Sequence, residues 1–187
     1  MTTNLPNPGF ETNLEGYTSL FADLARVTTE YHSGFASMRV ATSSAGSGFS
    51  SVPIGATGGR TRTASVWAKG AGAVRLAIGS GGTILATSAP LTLDGSWQQL
   101  ALEHVLPASA SDVFLQVKQE EAGARTFYVD DLDLAEEAVP TVPRLKVGTD
   151  SRIQVETAPG SWTTLGKRHV FHVNRSDSDP GTVDVEL

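Results

Sequence analysis

The chain has 187 residues and no cysteine, with 40% hydrophobic and 18% charged residues. That is long enough to close a substantial core, and the missing cysteines exclude a disulfide scaffold, a thiolate nucleophile and any Cys-bound zinc or iron–sulfur centre. The net charge of −6 comes without a basic stripe, so binding to a phosphate backbone lacks its electrostatic driver. Residues 1–138 hold 8 basic and 14 acidic side chains, whereas residues 139–187 hold 6 of each. No apolar run approaches the roughly 20 residues that span a bilayer. Met1 to Gly9 is polar and proline-bearing, unlike a secretory or transit peptide, so export by the usual route is not written in this sequence.

In Ser19 to Val27, Leu20, Leu24 and Val27 recur at helical spacing beside Phe21, which fits one short helix or a loop lying over a sheet edge. Four later segments alternate apolar and polar residues as strands do: Ser65–Ala68, Val74–Ile78, Val113–Val117 and Phe127–Leu134. Turn signals punctuate them at Gly58-Gly59, Gly70-Ala71-Gly72, Gly79 to Gly82, Asp94-Gly95 and Gly123. Many short strands with glycine punctuation predict an all-β sandwich or jelly roll over residues 1–138. Val139-Pro140-Thr141-Val142-Pro143 reads as a semi-rigid linker. Beyond it, residues 144–187 form a small β extension, with strands expected at Arg144–Val147, Ile153–Glu156, His169–Val173 and Thr182–Glu186. A piece this short rarely holds together alone, so it is expected to pack on its own domain, on another copy or on a partner.

No catalytic constellation is present. His169 and His172 share a face only on a helix, and their Val170-Phe171 context favours a strand. Adjacent carboxylates such as Asp130-Asp131 diverge in a strand and would not flank one glycosidic bond. No Gly-x-Ser-x-Gly, phosphate-cradling glycine loop or His-Glu-x-x-His appears. The chain reads as a non-enzyme.

Ordered motifs carry a family resemblance. Asn4-Leu5-Pro6-Asn7-Pro8-Gly9-Phe10-Glu11, His32-Ser33-Gly34-Phe35-Ala36-Ser37-Met38-Arg39-Val40, Thr63 to Lys69, Asp94-Gly95-Ser96-Trp97-Gln98 and Phe127-Tyr128-Val129-Asp130-Asp131-Leu132-Asp133-Leu134 follow one another along residues 4–135. Together they resemble carbohydrate-binding modules of the family 4/9 type, calcium-containing β-jelly rolls that accompany glycan-active enzymes and also occur on phage tail and capsid proteins. The resemblance implies a structural Ca2+ held by Glu11 on the opening strand and Asp130 on the closing strand. Strict alternation would place Tyr128, Asp130, Leu132 and Leu134 on one face and Val129, Asp131 and Asp133 on the other. Asp130 then points with the apolar set, where it needs a cation or backbone amides.

Strand parity also supplies a candidate carbohydrate-binding face. Ala64, Val66 and Ala68 form one side of their strand and Trp67 and Lys69 the other, and Arg75, Gln116 and Lys118 alternate with apolar neighbours. If these strands line the family's groove, Trp67, Arg75, Gln116 and Lys118 offer a stacking ring and polar donors for a sugar. Alternatively, Trp67 packs under the extension and Arg75 is merely solvated. Tyr17, Tyr31 and Phe49 are further aromatic contributors. Two functions follow. The first is a non-catalytic virion structural protein of a bacteriophage, in capsid decoration or a minor tail position, contacting other virion proteins or its own copies and binding surface polysaccharide. The second is an extracellular glycan-binding accessory module of a polysaccharide-active enzyme system. The stretch from Lys146 through Leu165 loosely resembles short β segments of phage minor tail proteins, consistent with a docking arm that adds a strand to a neighbour.

Overall fold

The computed structural model describes residues 5–136 in full and, beyond them, the backbone of five short strands lying between residues 145 and 185. It divides into two compact units, Met1–Ala138 and Val139–Leu187. The first contains eleven strands and no helix among its described residues: β1 (Tyr17–Leu20), β2 (Ala22–Val27), β3 (Ser37–Thr42), β4 (Gly48–Ser51), β5 (Ile54–Gly55), β6 (Thr61–Ser80), β7 (Thr83–Thr87), β8 (Leu91–Asp94), β9 (Gln98–Val105), β10 (Asp112–Gln119) and β11 (Arg125–Glu136).

The segment expected as a helix or covering loop, Ser19–Val27, is the end of β1, one turn residue and β2. Its apolar spacing reflects two strands meeting at Phe21, which takes a left-handed φ of 54° so the chain can pass from one sheet edge to another. Leu24 then pairs with Val40 of β3.

A second departure decides the architecture. Ser65–Ala68 and Val74–Ile78 are two parts of the single 20-residue β6 rather than strands separated by a turn. Gly70 (φ 148°) and Gly72 (φ 92°) bend β6 in the middle, and its halves enter different layers. Thr61–Gly70 pairs with β9 on one side and β11 on the other, building a first layer ordered β2-β3-β11-β6-β9. Ala71–Ser80 pairs with β10 on one side and with β8 and then β7 on the other, building a second layer ordered β1-β4-β10-β6-β8/β7. This is an all-β jelly-roll sandwich.

The layers close on one core. From the first come Met38, Val40, Val66, Phe127 and Val129; from the second come Phe49, Leu76, Ile78, Leu115 and Val117, all fully buried. Phe10 also belongs to it, with its ring 5.0 Å from Tyr17, which stands 6.0 Å from Phe49. Tyr17 and Phe49 are thus core residues and unavailable to a ligand. Burial drives the Tyr17 phenol far above its ordinary pKa, and its hydroxyl donates to the Pro6 carbonyl at 3.0 Å.

In the second unit β12 (Leu145–Val147), β13 (Ile153–Ala158) and β14 (Ser161–Thr164) form an antiparallel sheet, and β15 (Val173–Arg175) pairs with β16 (Val183–Val185). The strand expected at His169–Val173 appears three residues later than its centre would suggest, and His169, His172 and the proline linker lie outside the described residues.

The bend makes a stability prediction. A side chain at Gly70 would meet the Phe127 Cα and the Thr126 carbonyl at 2.8 Å, whereas one at Gly46 (φ 81°) would meet nothing within 4 Å. Urea unfolding should show Gly46→Ala costing about 1 kcal/mol, the left-handed strain alone. Gly70→Ala should cost about 3 kcal/mol, because strain and a backbone clash add. Equal costs would show that the bend tolerates a side chain.

Candidate functional site

The structure divides the four sequence-assigned sugar-binding residues between two faces. Alternation puts Thr63, Ser65, Trp67 and Lys69 on the outer side of the first layer, while Ala64, Val66 and Ala68 go to the core. In the second half of β6 the same alternation sends Arg75 outward, but from the opposite layer. Lys118 is the direct cross-strand partner of Arg75, and Gln116 that of Ala77. Arg75, Gln116 and Lys118 therefore share a surface that Trp67 cannot reach.

Trp67 is not an open platform. The His32 imidazole stacks on it, with centroids 3.9 Å apart and planes inclined by 14°, and the same imidazole meets Trp97 edge-on at 5.7 Å. The loop that carries His32 is strapped across this layer. Lys69 Nζ meets Glu30 Oε2 at 2.6 Å, and the Ser37 hydroxyl donates to the Glu30 carbonyl at 2.5 Å. His32 Nδ1 and the Ser33 hydroxyl meet the two oxygens of Asp131 at 2.7 and 2.6 Å. The cover over Trp67 thus comes from a loop of the same unit.

Asp130 completes the strap. It opposes Trp67 in the register, on the outer side. Burial is nevertheless complete, because the loop lies over it. Its Oδ2 accepts the amides of His32 (2.8 Å) and Ser33 (3.1 Å), and its Oδ1 accepts that of Asp131 at 2.8 Å. Burial pushes its carboxyl pKa upward, against the downward pull of those three amides. Strict alternation fails at the next residue. Asp131 has φ 47°, the register slips between Asp130 and Asp133, and Leu132 and Leu134 both reach the core. The bulge therefore corrects two expectations: Asp130 does not share a face with Leu132 and Leu134, and the adjacent carboxylates reach the same loop instead of diverging. Asp is among the few residues that adopt the left-handed region without a large penalty.

The opening segment arrives at the same place. The Leu132 amide donates to the Pro8 carbonyl at 3.0 Å, and Arg26 donates to the carbonyls of Phe10 and Glu11 at 2.7 Å each. The position a side chain would take at Gly9 lies 3.8 Å from oxygens of Glu11, Asp130 and Asp131. An all-oxygen set around a bare glycine is the donor chemistry a hard cation selects. Every carboxylate here also accepts a protein donor, Glu11 that of the Phe35 amide at 3.0 Å. Among the described residues no three acidic or His side chains suffice by themselves as a metal cluster. A calcium ion fits only with the spare lone pairs of Glu11 and Asp130 supplemented by backbone carbonyls.

The outer face of the second layer is polar. Arg75 Nη2 meets Glu120 Oε2 at 3.2 Å, but Arg75 Nε is buried without a partner, and so is Gln116 Oε1 two residues from Lys118. Ser50 and Thr18 extend the Gln116 row through β4 and β1, and Thr87 extends it through β7. The one ring on the β6–β10 pair, Phe114, is folded over Gly79 and 5% exposed. Sequence reasoning missed a further feature, a shallow depression of ≈ 490 Å³ at the β1–β2 corner, lined by Ser19, Phe21, Asp23, Thr42 and Ser43 among others. No local signal announced it, because Phe21 sits between Leu20 and Ala22 in an apolar run that reads as helical spacing.

Comparisons with known proteins bear on the fold. No family model matches the sequence, and no curated protein matches it. Solved structures do match. The CBM22-1 and GH10 modules of xylanase 10B from Clostridium thermocellum, complexed with xylohexaose, superpose with a TM-score of 0.55 at 21% identity, over 70% of this chain and 28% of that one. A family 4 carbohydrate-binding module superposes with a TM-score of 0.55 at 17% identity, over 72% of this chain and 100% of the other. The enzymatically active domain of tailspike protein 4 from bacteriophage CBA120 gives 0.56 at 14% identity, over 72% of this chain and 21% of that one. Identities this low establish shared architecture and leave the job open. The eleven-stranded unit has the β-sandwich jelly roll of the carbohydrate-binding modules.

Proposed function

We propose that residues 5–136 form a non-catalytic glycan-binding module whose binding surface is the outer face of the second layer, at Arg75, Gln116 and Lys118. The observation that carries this reading is an outward polar row on neighbouring strands, in which Arg75 Nε and Gln116 Oε1 have no protein partner and the Lys118 ammonium has no ion pair among the described residues. Such groups cost about 1–3 kcal/mol each when unpaired. Both atoms are shut off from solvent, so sugar hydroxyls, which both donate and accept, would satisfy them once the two half-exposed side chains turn outward to meet the ligand. Titration calorimetry against a polysaccharide panel tests it. Arg75→Ala and Gln116→Ala should each weaken binding about tenfold, one lost hydrogen bond to a charged or buried group. Trp67→Phe should leave affinity within about twofold, because the His32 stack already occupies that ring. Loss of binding in the Trp67 variant alone would move the site to the first layer.

The same reading assigns a structural Ca2+ to Glu11 and Asp130, supported by the oxygen set around Gly9. When bound, the ion would neutralise buried carboxylate charge and tie the opening segment to the closing strand; the chain's own residues already aim Glu11 through the Phe35 amide and Asp130 through those of His32 and Ser33. Adding CaCl2 to about 1 mM, the range of extracellular modules, should raise Tm over the chelated protein by about 5 °C. Glu11→Gln and Asp130→Asn should abolish that rise. An unchanged Tm in the parent protein would show that the amides alone satisfy Asp130.

The setting we favour is a phage particle, in capsid decoration or a minor tail position, with residues 144–187 docking to other virion proteins or further copies. The tailspike likeness in fold and the cysteine-free composition support it. An accessory module of a polysaccharide-active enzyme is the other reading, supported by the xylanase likeness in fold. Proteomics of purified particles should find the chain in stoichiometric amount; its absence from particles would leave the enzyme-associated reading.

A further inference from the structure

The proposed face carries a charge asymmetry that narrows the ligand class. Residues 5–136 contain eight cationic side chains, and seven are already engaged. Arg26 donates to the Phe10 and Glu11 carbonyls, Arg39 pairs with Asp23, Arg60 and Arg62 with Glu136, Lys69 with Glu30, Arg75 with Glu120 and Arg125 with Glu121. Lys118 alone has no hydrogen-bond or ion-pair partner among the described residues. It stands directly across from Arg75 in the β10–β6 register. Arg75 meets Glu120 through Nη2 and donates to the Thr87 hydroxyl through Nη1 at 3.5 Å, so the neighbouring Lys118 adds a positive charge that no described carboxylate pairs. A cation pair on adjacent strands repels itself unless an anion lies over it. This pair sits in a unit, residues 1–138, that holds 8 basic and 14 acidic side chains.

The face also lacks the feature that neutral sugars use. Among the described residues of β1, β4, β10 and the second half of β6, no exposed aromatic ring faces outward on this side; Phe114 is covered and Tyr17 and Phe49 are in the core. Without a stacking platform, affinity has to come from hydrogen bonds and charge.

Resting on the glycan-binding reading above, we infer that the ligand is an acidic polysaccharide whose sugar carboxylate lies between Lys118 Nζ and the half-exposed Arg75 guanidinium, with Gln116 taking a hydroxyl of the same or the next residue. Lys118 contributes a hydrated point charge and Arg75 a directional donor. Gln116 sets the register along the chain, because on this face its side-chain carbonyl oxygen is the acceptor left without a protein donor.

The test uses the full chain and three uronate polymers, polygalacturonate, alginate and a glucuronate-bearing xylan, each beside its carboxyl-reduced, neutral counterpart. At least one acid polymer should bind about tenfold tighter than its reduced form. That preference should shrink as salt rises from roughly 50 to 300 mM, because partly exposed charges are screened. Lys118→Gln should weaken the acid polymer about fivefold, an ion pair at a half-exposed site, and leave the reduced polymer unchanged. Arg39→Gln, the same charge change on the opposite layer, should alter neither. Neutral and acid polymers bound equally, with no effect of Lys118→Gln, would overturn the acidic-ligand inference while leaving glycan binding in place. Binding by none of the six polymers would overturn both.

Discussion

One strand belongs to both layers of this sandwich, and most of what the molecule can do follows from that constraint. β6 runs for 20 residues and is bent at Gly70 and Gly72. Its first half lies between β11 and the edge strand β9 in one sheet, and its second half between β10 and the edge strands β8 and β7 in the other. Alternation along each half sends every second residue to a common core, so the remaining residues point away from each other across the sandwich. Trp67 and Arg75 are eight positions apart in the chain and sit on opposite outer faces. No single ligand spans them without wrapping around an edge. The chemistry of the two faces is accordingly distinct: one is aromatic and closed over by its own loop, the other cationic and polar.

The strapped face has a structural explanation. Asp130 is fully buried yet accepts three backbone amides, two of them from the loop at His32 and Ser33. Removing that carboxylate would leave three part-buried N–H groups without their acceptor. Asp131, Lys69 and the Trp67–His32 stack hold the same loop from the side-chain level. The opening Gly9–Glu11 segment enters this knot as well, through Leu132 and Arg26. The result ties the opening segment of the unit to its last strand through hydrogen bonds of the protein's own groups.

Much of the fold was legible because strand alternation is a local property. Val66, Ala68, Val74, Leu76, Ile78, Val113, Leu115 and Val117 were placed inward by period two, and all are buried. What the sequence did not disclose were the places where backbone conformation breaks the count. Phe21 and Asp131 take left-handed φ values that period-two counting does not register, so the β1–β2 corner read as a helix or covering loop and the β11 bulge was invisible. Gly70-Ala71-Gly72 was read correctly as a break and wrongly as a turn, because a bend within a strand and a reversal between strands draw on the same residue. The candidate site suffered most from this. Parity named the outward residues Trp67, Arg75, Gln116 and Lys118 correctly, but only the register shows which of them share a face. Likewise, the ionic isolation of Lys118 depends on where seven other cations find partners, a property of the whole folded unit.

The account turns on which outer face meets a saccharide. Residue-resolved NMR of the isotope-labelled chain, titrated with a bound acidic oligosaccharide, reads this directly. The Gln116 side-chain amide and the backbone amides around Ser50, Arg75 and Lys118 should move together with one saturation curve, while the indole N–H signals of Trp67 and Trp97 stay in place. Shifts concentrated on those indoles and on the His32 loop, with the β10–β6 face silent, would contradict it.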